Sequence, residues 1–281
     1  VTQGDGTGAT AAGGPLRRPR VGFHVSAFGS HQVLAALAGV SRAGFEGLEI
    51  YADTSQIFAD RPDEFRTIFG IVGIGFAGVH GGGLLTSAEF RANEMAEWKR
   101  LVQWVGEAGG EYAVFYGGES HGDFEADLVS AASFLDELGE FAASHGVRLC
   151  YEPDRTCPFS TNVAIARLME TTDPRWVGLS VDTARLALAG LDPTLYVLSQ
   201  RQRLHVVHVR DLRAAADPDA AVPPYAEIGA GTLDLQGLVA ALRATSFGGW
   251  IVGVVDDPER SAHDSAVGAA GYFRNVLGLE F

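Results

Sequence analysis

Four polar residues stand at the ends of apolar runs in this chain. Glu152 closes "VRLCYEP" (147–153), Asp182 sits in "VGLSVDT" (177–183), His208 in "LHVVHVRD" (204–211) and His80 ends "GIGFAGVH" (73–80). A carboxylate beside a buried strand costs several kcal/mol unless it is paired or bound to a metal. Two carboxylates and an imidazole suit a divalent ion with mixed oxygen and nitrogen ligands, such as Mn²⁺, Mg²⁺, Co²⁺ or Zn²⁺. Each residue also has a plainer reading. Glu152 can pair with Arg155 or Arg185, Asp182 can cap the helix begun by "DTAR", and a strand histidine is usually a hydrogen-bonded core residue.

What must position these side chains is a repeat of apolar runs. Besides the four above they are "VGFHVSAF" (21–28), "GLEIYA" (47–52), "EYAVFYGG" (111–118) and "GWIVGVVD" (249–256), with starts 26 to 45 residues apart. Most intervals hold one helix pattern. In the fourth, Asp123 can cap, and Phe124, Leu128, Ala131, Leu135, Leu138 and Ala142 mark an apolar face that Gly146 closes. In the third, Trp98, Leu101, Val105 and Ala108 do the same before Gly109-Gly110. Strand–helix alternation of this kind predicts a parallel sheet with right-handed crossovers. Eight units at this spacing predict a (β/α)8 TIM barrel, which gathers its strand ends at one mouth. An open doubly wound sheet is the alternative. No linker divides the chain, so residues 1–20 are expected to form a disordered tail and 21–281 one barrel domain.

Composition narrows the function classes. The chain has 281 residues, 47% hydrophobic and 20% charged, with net charge −14. That balance argues against nucleic acid, whose non-specific binding depends on Lys and Arg neutralising phosphates. No apolar run approaches the roughly 18 residues of a membrane span. No signal-peptide pattern opens the sequence, and two cysteines, Cys150 and Cys157, make no disulfide framework, so the expected setting is the cytoplasm. A small-molecule substrate is the expected partner; homo-oligomerisation is left open.

The quoted motifs, in this order, resemble those of the xylose-isomerase-like barrels: sugar-phosphate isomerases and epimerases, inosose dehydratases and endonuclease-IV-like proteins. "YEPD" resembles that family's Glu-Pro strand end, "VDTAR" its Asp-x-x-His element, "HVRD" its His-x-x-Asp element and "GAGTLD" (229–234) its Gly-x-Gly-x-x-Asp turn; "GGWIVGVVDD" resembles its last strand. The resemblance implies a divalent ion on Glu152, Asp182 and His208, and chemistry on a carbonyl-bearing sugar or polyol. It also exposes departures. Val254 stands where the family carries a fourth ligand, a glutamate; Asp256, two residues on, points to the same face. Arg185 and Asp154 stand where histidines are common. Glu152 without a partner on the opposite face implies one-faced proton abstraction, hence dehydration or aldose–ketose isomerisation rather than epimerisation. Arg185 would hold a substrate anion with its planar fork, and His80 or Asp256 would protonate a leaving hydroxyl.

Two other classes compete. "GESHG" (118–122) matches the nucleophile elbow of serine α/β-hydrolases and "HGGG" (80–83) an oxyanion-hole motif; Ser120 would attack, with Asp211 or Asp256 as acid and His263 as base. A barrel whose metal site has degenerated, acting as a binder or a metal-free enzyme, is the other, suggested by Val254.

Overall fold

In the computed structural model, residues 18–281 are described except 84, 88, 156, 215–223 and 257. Eight parallel strands close into a barrel. They are β1 (Arg20–His24), β2 (Gly47–Tyr51), β3 (Gly75–Gly83), β4 (Tyr112–Gly117), β5 (Arg148–Glu152), β6 (Val177–Asp182), β7 (Leu204–Val209) and β8 (Trp250–Gly253). Each strand pairs with its neighbours in sequence, and β8 closes on β1, Arg20 opposite Trp250 and Phe23 opposite Gly253. The (β/α)8 expectation is met. Residues 1–17 of the expected tail lie outside the described residues; Arg18 already pairs with Glu46, and Arg20 opens β1.

The helices form where the periodicity places them. The third (Arg91–Glu107) ends before Gly109, and the fourth (Phe124–Ser144) starts on the Asp123 carboxylate, which accepts from the Glu125 and Ala126 amides. Gly146 follows at φ 74°, a left-handed conformation that a side chain would strain. The interval after β6 holds two short helices, Thr183–Leu188 and Pro193–Ser199. No helix among the described residues is long and apolar enough to cross a membrane.

Side-chain alternation sorts the strands into two cores. Outward-facing residues such as Tyr151, Val181 and Val207 join the large cluster under the helices. Inward-facing Ala77, Tyr112, Val114, Cys150, Val206, Trp250, Val252 and Val254 form a separate plug inside the barrel. Trp250 fits because β2 begins with Gly47, where a Cβ would lie 2.5 Å from the indole. This apolar plug is the floor on which the polar layer rests.

Candidate metal centre at the barrel mouth

Continuing the same inward alternation lifts each strand out of the plug. Two residues beyond Cys150 stands Glu152, and two beyond Val206 stands His208. Four of the other six strands bring His24, Glu49, His80 and Ser180 to the same layer. All six are buried, Glu49, Glu152 and Ser180 completely.

Glu152 is the hub. Its Oε1 lies 3.1 Å from His80 Nε2 and 3.3 Å from the Arg185 guanidinium. Its Oε2 accepts from Ser180 Oγ at 2.8 Å and meets His208 Nδ1 in a very short contact. Burial alone would raise its pKa, but His208 and His80 overcome that and hold the carboxyl well below the usual range. The buried carboxylate at the end of "RLCYE" is therefore matched by two imidazoles and a guanidinium. Burial would lower the pKa of His208; Glu49 and Glu152, one on each nitrogen, instead push it up to about 10. His24, with burial against it and His80 and His208 nearby, is held well below its ordinary value, hence neutral.

Donor atoms of His80, Glu152 and His208 lie within 4.8 Å of one another, close enough to share one ion. The donor set fits a divalent metal: two imidazole nitrogens and a carboxylate oxygen, all buried. Asp182 is adjacent to His208 in register, but its carboxylate is otherwise occupied. One oxygen caps the Arg185 amide at 2.9 Å, and the other sits 3.1 Å from Arg210 Nε. Arg210 bridges onward to Asp256 and stacks over Tyr225 at 4.4 Å. Arg185 lies 3.0 Å from Asp154 and over Tyr116 at 5.0 Å. Two guanidinium groups, each between two carboxylates and each on a tyrosine ring, thus rim the mouth. Val254 faces the barrel interior, as aligned, and contributes only methyl groups.

Glu49, His24, Ser180 and Arg210 are the residues sequence reasoning missed. Glu49 carried a signal: it interrupts the apolar run "GLEIY" as Glu152 ends its own.

The serine-hydrolase alternative is overturned. The sheet is a closed barrel, not the open sheet that a nucleophile elbow needs. Ser120 is exposed and, among the described residues, accepts only a long bond, 3.4 Å, from the Gly122 amide. Its supposed acids are committed: Asp211 accepts from the amides of Leu212, Gly229, Gly231 and Leu233, which wraps "GAGTLD" around it, and Asp256 pairs with Arg210. Ser120→Ala is expected to leave turnover within about twofold of wild type; removing a true nucleophile costs orders of magnitude, so a comparable loss in a folded variant would reinstate it.

The chain belongs to the xylose isomerase-like TIM barrel family, whose model matches residues 37–274. An inosose dehydratase of Geobacillus thermodenitrificans is 30% identical over 159 residues, 52% of this chain and 53% of that protein. The match thus spans about half the length of that relative. An inosose dehydratase of Geobacillus kaustophilus is 24% identical over 271 residues, 87% of this chain and 85% of that protein. Among solved structures, the IolI protein with a bound zinc atom superposes with a TM-score of 0.80 at 19% identity, covering 93% of this chain and 99% of that one. At that identity it shows the shared fold.

Proposed function

We propose that the protein is a divalent-metal-dependent lyase or isomerase that removes a proton next to the carbonyl of a small sugar or polyol. Dehydration of an inosose-like cyclic ketone is the favoured reaction. The observation that carries the reading is the buried His80–Glu152–His208 cluster at the carboxyl ends of the strands. Relatives named inosose dehydratase support the substrate class. Zn²⁺, Co²⁺ and Mn²⁺ suit two imidazoles and a carboxylate better than Mg²⁺ does.

When bound, the ion supplies Lewis acidity toward a carbonyl. The chain's residues supply the rest. Glu152 stays anionic and takes the proton. It is a weak base, so it can act only on a C–H made unusually acidic. Exposure rises from Glu152 at 0% through His80 at 6% and Arg185 at 18% to Asp256 at 30%. That gradient runs from the plug toward solvent and favours Arg185 as the anchor for a substrate oxygen; His80 and Asp256, the acids expected for the departing hydroxyl, are committed to the ion and to Arg210 respectively. Val254 offers no base on the opposite face, which favours elimination or isomerisation over epimerisation.

The test is to strip the protein with chelator, reload it with Mn²⁺, Co²⁺ or Zn²⁺, and follow inosose in D₂O by NMR. Water loss that appears only in the loaded protein, with deuterium exchange at one face, is the expected result. Turnover indifferent to chelator would overturn the metal reading. Exchange from both faces would show that another residue replaces the missing glutamate. The degenerate-barrel reading has one specific support, namely that Arg210 already neutralises Asp182 and Asp256. It predicts sugar binding with no stoichiometric ion.

A further inference from the structure

We infer that Glu49 is the positioning residue of the metal centre, fixing which nitrogen of His208 faces the ion. The inference rests on the metal-centre reading above. Glu49 is fully buried, and both its oxygens lie within hydrogen-bond distance of His208 Nε2, at 2.9 and 3.1 Å. The other ring nitrogen, Nδ1, meets Glu152. Protonated on both nitrogens, the ring donates to both carboxylates. An ion must displace one of those protons, and the carboxylate behind the other nitrogen keeps the second.

The surroundings decide the side. On the Nδ1 side stands His80, whose Nε2 approaches the same carboxylate. Ser180, 3.5 Å from His208 Nδ1, donates its hydroxyl proton to Glu152 and so puts no proton on that nitrogen. On the Nε2 side the nearest further imidazole is His24, 3.9 Å from Glu49. Its Nδ1 accepts from the Ser26 amide, so its proton is on Nε2, aimed at Glu49, and it offers no lone pair there. Among the described residues, the cluster that can share an ion with His208 joins it to His80 and Glu152, and Glu152 stands on the Nδ1 side. Glu49 keeps the Nε2 proton, orients the ring and makes Nδ1 more basic, the usual part of a carboxylate behind a metal-binding histidine.

Two measurements test this. In zinc-loaded protein with ¹⁵N-labelled histidine, His208 (assigned with a His208→Gln control) should show a protonated Nε2 and a zinc-shifted Nδ1. A zinc-bound Nε2 would overturn the assignment without recourse to any variant. In chelator-competition titrations, Glu49→Gln should weaken zinc about tenfold and Glu49→Leu about a hundredfold, the span seen when such partners are lost. A zinc affinity within twofold of wild type in both folded variants would also overturn it. If the wild-type protein binds no zinc, cobalt or manganese at all, the proposed function falls and takes this inference with it. If it binds zinc and Glu49 proves silent, only the inference falls.

Discussion

Glu152→Gln is expected to lower turnover at least about a thousandfold, the upper range of what a positioned acid or base contributes. The substitution keeps the shape of the side chain and one acceptor. It removes the charge that His80, His208 and Arg185 all face. It also puts an amide donor or a single carbonyl where one oxygen now receives both Ser180 and His208. Two losses therefore compound: the base disappears, and the cluster loses its only carboxylate ligand. Because removing one member of a buried ionic group costs about 3–5 kcal/mol when nothing replaces it, and glutamine still hydrogen-bonds, the fold should survive with a lower melting temperature. Circular dichroism establishes folding; NMR of the proton-exchange reaction and metal analysis then separate the two losses. A folded variant retaining more than about a tenth of wild-type turnover would remove Glu152 from the chemistry.

The barrel was readable because eight apolar runs recur at a spacing that one crossover helix fills. The ends of those helices were readable because capping aspartate and left-handed glycine leave residue-level marks, as at Asp123 and Gly146. The polar layer was only partly readable. Glu152, His80 and His208 sit at strand ends and meet. Glu49 lies inside a run, and its height depends on a register shift between β2 and β3 at Leu48/Glu49 that sets it opposite Gly78. A second shift at Leu179/Ser180 fixes Asp182 beside His208. Such shifts come from packing around the closed sheet and have no local signature. Arg210 was hidden for another reason. In "HVRD" it could serve either face, and only the three-dimensional arrangement shows its guanidinium between Asp182 and Asp256. The plain reading of Asp182 as a helix cap and the ionic one are realised together, one oxygen each.

Removing that guanidinium is the second large effect. Arg210→Met is expected to destabilise the chelator-treated protein by about 3–5 kcal/mol, the cost of leaving a buried charge without its partner. Methionine fills much of the same space beside Tyr225, so the loss reports charge more than volume. Most of it should come from Asp182, which is almost completely buried, since Asp256 is 30% exposed and can take water. Against a typical total stability of about 5–15 kcal/mol, this moves the urea midpoint far outside experimental scatter. Asp182→Asn keeps the cap on the Arg185 amide, because asparagine caps as well as aspartate, and should return part of the stability when combined with Arg210→Met. The four proteins close a double-mutant cycle whose coupling term isolates the pair. A loss below about 1 kcal/mol would show that Arg210 does not neutralise Asp182. The same variant also tests whether the arginine and an ion compete for this carboxylate. Once freed, Asp182 stands next to His208 in the sheet, so Mn²⁺ should stabilise Arg210→Met more than it stabilises the wild type. Equal stabilisation would mean that Asp182 stays outside the ion's reach even when its own partner is gone, leaving the centre to His80, Glu152 and His208.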